Sequence, residues 1–341
     1  MQLQISTSPA SGILSLFIAV LVLVSQPSWA VSTATEPEPL RCLAFSPYVS
    51  GYDPDYGPHP TPAVIDQLLD VVVNDAGFRC IMTYSSLNGL DYVFEAARKR
   101  GVKVISIIWL DDDPAVNRAS IAIGITSAKA YADTIVRVSC GSEVRVRNGA
   151  AFAQTVVADC LAQARAAGVP QPLSSIDTWW GWCDEQSPCK TWGLSKTVDW
   201  IGINVFPWWE NKHSGLAPCT DAAGAAAFHL ERIDDIRKRY PGKEIIMTEF
   251  GWPTGPQGYR QTNQHTGKAC DMASKDNQRH ILESTLSALD ERGLSAVVFE
   301  AFNESWKGRH EGPASDYWGI CEGTAPYACS FRYGTPASAR N

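Results

Sequence analysis

From residue 41 onward, apolar runs alternate with amphipathic ones. Eight short, near-continuously apolar runs predict strands at 41–49, 79–85, 102–110, 134–143, 173–180, 198–208, 244–250 and 295–303. Helical patterns lie between them at 62–75, 88–100, 115–131, 150–167, 222–240 and 274–292, and 188–197 has room only for a short helix. Strands that are apolar on both faces and separated by helices are typical of a parallel sheet. Eight such units predict an α/β fold, a single-domain (β/α)8 TIM barrel over 41–335.

A doubly wound open sheet is the alternative. Such a sheet usually carries a Gly-rich phosphate-binding turn after its first strand, and this chain has none there. The pattern therefore favours the closed barrel.

Polar or aromatic residues stand at the end of each predicted strand from the second onward. In chain order they are Tyr84, Trp109, Glu143, Trp179, Asn204, Glu249 and Glu300, with Trp180, Trp208, Trp209 and Glu304 close behind. The C-terminal strand ends of a parallel barrel meet at one face, where barrel enzymes build their sites. Core packing or loop polarity could explain each residue alone, but it does not explain their shared placement.

Two of these residues, Glu143 and Glu249, suggest the chemistry. They are 249 − 143 = 106 residues apart, or three barrel units of about 35 residues, so their strands face each other across the barrel mouth. Two opposed carboxyl groups can cleave a glycosidic bond, and a separation of about 5 Å gives retention of configuration. The alternative for Glu143 is a salt bridge to Arg145 or Arg147. Trp252, just after Glu249, would offer a sugar ring a flat apolar face.

The N-terminal segment predicts export. Residues 1–30 contain no charged side chain, and they combine an apolar run at 12–24 with a small-x-small site at 27–30. This pattern is typical of a secretory signal peptide, although its basic start is missing and an uncleaved anchor is the alternative. Residues 31–40 form a flexible lead-in. We expect a secreted, extracellular monomer, with the cell wall as one location and without stable membrane association.

The net charge and the cysteine content of the chain limit the classes of partner, disulfide and metal site that we expect. The net charge of −7 argues against nucleic acid as a partner. Ten cysteines, all after residue 41, indicate disulfides in an exported chain. Cys183 with Cys189, and Cys321 with Cys329, could close small loops, whereas some of Cys42, Cys80 and Cys140 could be buried free thiols. No Cys/His spacing predicts zinc, and the aspartates at 111–113 suit a helix cap better than a calcium loop, so we expect neither a metal nor a cofactor.

Four motifs resemble glycoside hydrolase family 17, the retaining β-1,3-glucanases and glucanosyltransferases with a (β/α)8 fold. They are VSCGSEV (138–144), WIGINVFPWWE (200–210), IIMTEFGWPTG (245–255) and FEAFNESWKG with YWGI (299–320), and the likeness spans roughly 41–320. The resemblance implies that Glu249 is the nucleophile and Glu143 the acid/base. It also implies that the donor side of the cleft is lined by Tyr84, Asn204, Glu300, Glu304 and Lys307.

Two residues depart from the family pattern. Ser142 stands where the family usually has an Asn that would bind the sugar 2-hydroxyl, and Phe206 stands where the family often has Tyr. Both departures put the rate and the sugar preference in question more than the reaction type. Among the tryptophans, we expect Trp208 and Trp179 to be the first candidates for sugar platforms.

Together these features predict a secreted enzyme that cleaves β-1,3-glucan, of endo-β-1,3-glucanase type, through a covalent glycosyl-enzyme intermediate. Three alternatives stay open. The same intermediate could pass to a sugar, which would make the chain a glucanosyltransferase. Ser142 could leave a catalytically weak β-glucan-binding barrel. A β-mannanase or a cellulase would use the same chemistry on another sugar.

Overall fold

The computed structural model describes residues 38–334, except for 187–188, 214–218 and the side chains of 183–191 and 212–213. The predicted signal peptide (1–30) and most of the lead-in (31–40) lie outside the described residues. Within the described part of the chain, no helix is long and apolar enough to cross a membrane.

Eight parallel strands close into a barrel. They are β1 (Arg41–Phe45), β2 (Cys80–Thr83), β3 (Lys103–Ile108), β4 (Ile135–Ser142), β5 (Leu173–Thr178), β6 (Trp200–Asn204), β7 (Glu244–Phe250) and β8 (Ala296–Val298). Each strand pairs with its neighbours in chain order, and β8 pairs with β1 to close the ring. All eight predicted strands are present, each at or inside its predicted range, and the (β/α)8 TIM barrel is confirmed.

Helices surround the barrel. They are α1 (Pro62–Asn74), α2 (Tyr92–Lys99), α3 (Pro114–Ala130), α4 (Val144–Asn148), α5 (Ala150–Ala166), α6 (Pro207–His213), α7 (Ala225–Arg239), α8 (Lys275–Glu291) and α9 (Gly308–Glu311). The six predicted helices correspond to α1, α2, α3, α5, α7 and α8, and 193–196 forms a short 3-10 turn. Asp113 caps α3 by accepting the backbone N–H of Ala115 at 2.7 Å, which is the capping role predicted for the aspartate run.

Side chains of the strands fill two layers of core. On β1, Cys42 and Ala44 belong to the cluster inside the barrel, whereas Leu43 and Phe45 belong to the layer between strands and helices. This alternation follows from the two-residue period of a strand. Because both faces are buried, the strands read as continuous apolar runs in the sequence.

Disulfides join elements that are neighbours in space. Cys42–Cys80 links β1 to β2, Cys140–Cys160 links β4 to α5, and Cys219–Cys270 and Cys321–Cys329 tie loops together. The predicted Cys321–Cys329 bridge is confirmed. The expectation of free thiols at Cys42, Cys80 or Cys140 is wrong, because strand pairing and helix packing bring each beside a partner. The side chains of Cys183 and Cys189 lie outside the described residues.

Candidate active site

A cleft of about 680 Å³ opens at the C-terminal ends of the strands. Its lining includes Ser46, Tyr48, Tyr84, Trp109, Ser142, Glu143, Glu249, Glu304, Trp306, Lys307 and Glu311. These residues come from the ends of β1, β2, β3, β4, β7 and β8 or the loops that follow them. The volume falls in the range of sites for small molecules and short oligosaccharides. The cleft therefore occupies the face at which barrel enzymes place their chemistry.

Glu249 lies near the end of β7 with its side chain almost fully buried. The hydroxyl of Tyr84, just after β2, donates a hydrogen bond of 2.9 Å to Glu249 Oε1. Burial raises the pKa of Glu249 well above its ordinary value, and the negative charge of Glu143 adds to the rise. The Tyr84 hydrogen bond and the positive charge of Lys307 oppose it. Glu249 is thus a buried carboxyl group with two groups that favour its ionised form.

Glu143 follows β4 directly and lies in the same cleft. Asn204 Nδ2, from the end of β6, donates to Glu143 Oε1 at 2.9 Å. The orientation of that amide is fixed, because Asn204 Oδ1 accepts a hydrogen bond from Thr248 Oγ1 at 2.8 Å. Burial raises the pKa of Glu143, and the Asn204 hydrogen bond and the charge of Arg147 oppose the rise. The two carboxyl groups interact electrostatically, so they titrate as a pair that keeps a proton to higher pH than free carboxyl groups do.

A buried charge cluster follows β8. The ammonium of Lys307 contacts Glu300 Oε2 and lies 2.6 Å from Glu304 Oε2, and Ser46 Oγ donates to Glu304 Oε1. All three charged side chains are buried. Although burial lowers it, the two carboxylates raise the pKa of Lys307, which stays protonated. Glu304 and Lys307 line the cleft, whereas Glu300, which was expected in the lining, is absent from it and contacts Lys307 instead.

The aromatic lining of the cleft differs from the expectation. Trp208 and Trp252 are fully buried, at 0% exposure each, in a cluster with Trp318, and their ring centroids lie 5.0 Å apart. These two rings are core residues and present no face to a sugar. Trp179 is absent from the lining as well: its indole N–H donates to Glu210 Oε1 at 2.9 Å, and the Arg232 guanidinium lies 4.6 Å from its ring centroid.

Trp109 and Trp306 line the cleft instead, and both are partly exposed. Trp109 directly follows β3, and the guanidinium of Arg147 lies 4.2 Å from its ring centroid. The pattern that placed Trp109 at a strand end marked it for this role, but Trp306 has no such signal because it lies inside a loop.

The two departures from the family pattern occupy different surroundings. Ser142 is buried at the end of β4 and lines the cleft beside Glu143. Phe206 instead packs edge to face against Phe299 and Trp318, with centroid distances of 5.4 and 5.1 Å. Phe206 is therefore a packing residue beside the site, and Ser142 is the departure that touches the cleft.

Comparisons with known proteins agree with this geometry. Residues 42–319 match the BtgE/BtgC glycoside hydrolase domain family. The probable β-glucosidase btgE of Aspergillus flavus is 26% identical over 264 residues, which are 75% of this chain and 39% of that protein. The probable family 17 glucosidase SCW10 of Saccharomyces cerevisiae is 28% identical over 193 residues, 55% of this chain and 43% of that protein. The chain therefore spans less than half the length of these curated relatives.

Solved structures show the same fold. A family 17 β-1,3-glucanosyltransferase from Rhizomucor miehei has a TM-score of 0.63 at 17% identity, with 86% of this chain and 98% of that chain covered. An endo-laminarinase from Formosa has a TM-score of 0.65 at 17% identity, with 83% of each chain covered. The predicted resemblance to family 17 is confirmed as a distant relationship, and so is the prediction of a glycoside hydrolase. The chain belongs to the BtgE/BtgC glycoside hydrolase domain family.

Proposed function

We propose that the chain is a retaining glycoside hydrolase that cleaves β-1,3-glucan, with Glu249 as the nucleophile and Glu143 as the acid/base. The observation that carries this proposal is the pair itself. Two carboxyl groups from opposed strands of the barrel enter one cleft, and each accepts a hydrogen bond from a neutral donor. Paired carboxyl groups of this kind are the usual machinery of glycoside hydrolysis.

In the first step, Glu249 attacks the anomeric carbon while the proton of Glu143 moves to the departing glycosidic oxygen. The carbon–oxygen bond breaks, and the sugar becomes an ester of Glu249. In the second step, Glu143 takes a proton from water, whose oxygen attacks the same carbon and releases Glu249. A sugar hydroxyl can replace water in that step, so hydrolysis and glucanosyl transfer share one intermediate.

Burial raises the pKa of both carboxyl groups, and each group also has neighbours that favour its ionised form. The pair therefore keeps a proton that the acid step needs, and the division of roles follows the resemblance of the two motifs to family 17. The amide of Asn204 holds Glu143 in one orientation, because Thr248 fixes the other end of that amide.

The choice of β-1,3-glucan rests on similar proteins. The R. miehei transferase has been seen with laminaritriose, and the Formosa protein is an endo-laminarinase. Trp109 and Trp306 would give the sugar rings apolar faces in this cleft. The four described disulfides support an oxidising, extracellular compartment, where a wall or storage glucan would be met.

The test uses purified protein with laminarin and with a defined laminari-oligosaccharide, and it follows products by chromatography. Shorter products establish hydrolysis, and products longer than the supplied oligosaccharide establish transfer. Glu249→Ala and Glu143→Ala should each abolish turnover of laminarin. Glu244→Ala is the matched control, because Glu244 lies at the opposite end of the same strand in a surface ion pair with Arg137.

A fully active Glu249→Ala protein would disprove the mechanism. A wild-type protein that forms no product but is retarded in a laminarin-containing gel would identify a glucan-binding barrel. Ser142→Asn would then be the change that tests whether activity can be restored.

A further inference from the structure

One buried carboxyl group has no part in the proposed chemistry. Asp177 lies near the end of β5, is 0% exposed and is absent from the lining of the cleft. Its Oδ2 accepts the backbone N–H of Arg145 at 3.0 Å, and its Oδ1 accepts the backbone N–H of Thr178 at 2.9 Å. The first of these bonds connects β5 to the segment that carries Glu143.

The backbone at Glu143 needs such support. Glu143 has φ 54° and ψ 29°, the left-handed conformation that is unfavourable for a residue with a side chain. On one side, the Glu143 N–H donates to Ile176 O at 2.9 Å. On the other side, two residues later, Arg145 N–H donates to Asp177. Two consecutive residues of β5 therefore hold both ends of the turn that points Glu143 into the cleft.

The loop after β5 packs closely against the carboxyl group of Asp177. A Cβ atom added to Gly181 would collide with Asp177 Oδ1 and would lie 2.8 Å from its Cγ. The turn that brings Gly181 close is closed by a hydrogen bond of 2.9 Å from Gly181 N–H to Thr178 O. The loop after β5 thus limits movement of the Asp177 carboxyl group toward Gly181.

The charges around Asp177 connect it with Glu143. Burial raises the pKa of Asp177 to about 7, and the charge of Glu143 contributes to the rise. The two backbone N–H donors and the charge of Arg145 oppose it, and Arg147, on the same turn as Arg145, also interacts with the Asp177 charge. Asp177 therefore responds to the ionisation of Glu143 without reaching the substrate.

We propose that Asp177 is a positioning residue for the reaction: it fixes the left-handed turn that aims Glu143 at the departing oxygen. The inference rests on the proposed function, since it assigns a role relative to the acid/base. A positioning role can be distinguished from a purely structural one. If Glu143 is misplaced, only the step that needs proton donation should become slower.

The test compares two substrates of different leaving-group quality in Asp177→Asn. Cleavage of a laminari-oligosaccharide needs a proton on the departing oxygen, whereas a 2,4-dinitrophenyl β-laminarioside releases a stable anion without one. We expect kcat/KM for the oligosaccharide to fall about 100-fold, mainly in kcat, and kcat/KM for the dinitrophenyl substrate to stay within about threefold of wild type.

Two further variants make the comparison decisive. Asp199→Asn is the matched control, because Asp199 Oδ2 also accepts a backbone N–H, that of Leu173 at 2.8 Å, at the opposite end of the same strand. It should affect both substrates equally. Gly181→Ala displaces the Asp177 carboxyl group without removing it. This variant should show the same selective loss of activity on the oligosaccharide, and it provides the test if Asp177→Asn does not fold.

Equal losses on both substrates, or no loss on either, would overturn the positioning role. These outcomes are distinct from failure of the proposed function, which would appear as a wild-type protein that turns over neither substrate.

Discussion

The hydrogen bond from Tyr84 to Glu249 gives a direct way to perturb the nucleophile. Tyr84→Phe removes the hydroxyl that lies 2.9 Å from Glu249 Oε1 and leaves the ring in place. Hydrogen bonds to charged groups contribute about 1.5–3 kcal/mol. If that energy favours only the ionised carboxylate, its loss raises the pKa of Glu249 by about 1–2 units.

The sign of the effect follows from the chemistry. The Tyr84 bond lowers the pKa of Glu249, so its removal raises that pKa and reduces the ionised fraction at any pH near it. Attack requires the ionised form, so the acid limb of the kcat/KM profile should move to higher pH by about 1–2 units. Below the wild-type midpoint, the loss should reach about 10- to 100-fold, since one unit corresponds to a factor of ten.

The assay is a pH profile of kcat/KM on a laminari-oligosaccharide. Tyr92→Phe is the matched control: the Tyr92 hydroxyl donates to Asp66 Oδ2 at 2.8 Å on the outer surface, away from the cleft. The control should keep the wild-type profile. An acid limb at the wild-type position in Tyr84→Phe would show that this bond does not set the ionisation of Glu249.

Three further predictions concern substrate contact and stability. Trp109→Ala should raise KM for oligosaccharides, and a KM equal to that of wild type would argue against Trp109 as a sugar platform. Trp208→Ala, which removes a core ring, should instead lower the free energy of unfolding by about 3–5 kcal/mol in denaturant titrations. Lys307→Met should destabilise by about 3–5 kcal/mol, because it leaves two buried carboxylates unpaired, and an unchanged urea midpoint would contradict this. The contribution of Asp177 to stability should decline as the pH rises from about 4 to about 7, because folded Asp177 keeps a proton that the unfolded chain releases. This contribution to the free energy of unfolding is up to about 4 kcal/mol. Asp177→Asn should therefore show a flatter dependence of Tm on pH.

Much of the barrel could be predicted because its strands are buried on both faces. Such strands appear as largely apolar runs that end at polar or aromatic residues, and this placed Glu143 and Glu249 at the same face. The Cys42–Cys80 bridge does not follow from the strand pattern alone. Leu43 pairs with Ile81, which sets Cys42 beside Cys80 on adjacent strands, and this register is visible only in the assembled sheet.

The aromatic platforms could not be read from the sequence in the same way. Trp208 and Trp252 follow strands, as Trp109 does, but the chain after each folds back over its ring. Trp208 lies inside α6, and Trp252 Nε1 donates to Met272 O, in the strand 269–272 of an antiparallel hairpin. Short hairpins leave little periodicity, so nothing in the sequence showed that these rings would be covered.

Asp177 is visible in the sequence as a charged residue inside a predicted strand, but a strand prediction gives it no role. It is the charged residue within the run 173–180, which otherwise predicts a buried strand. A carboxyl group placed there must find donors, and it finds them in the backbone of the neighbouring turn. An isolated charge in an apolar strand therefore deserves the same scrutiny as a charge at the strand end.

The most direct test of the proposed mechanism is to trap the covalent intermediate. The reagent is a laminaribioside that carries fluorine at position 2 and a dinitrophenyl leaving group. The fluorine slows both steps, whereas the leaving group keeps the first step fast, so the glycosyl-enzyme accumulates. Mass spectrometry of the intact protein and of its peptides then locates the sugar. We predict one laminaribiosyl group per chain, bound to Glu249. A sugar on another residue, or none on a protein that cleaves laminarin, would contradict the assignment of Glu249 as the nucleophile.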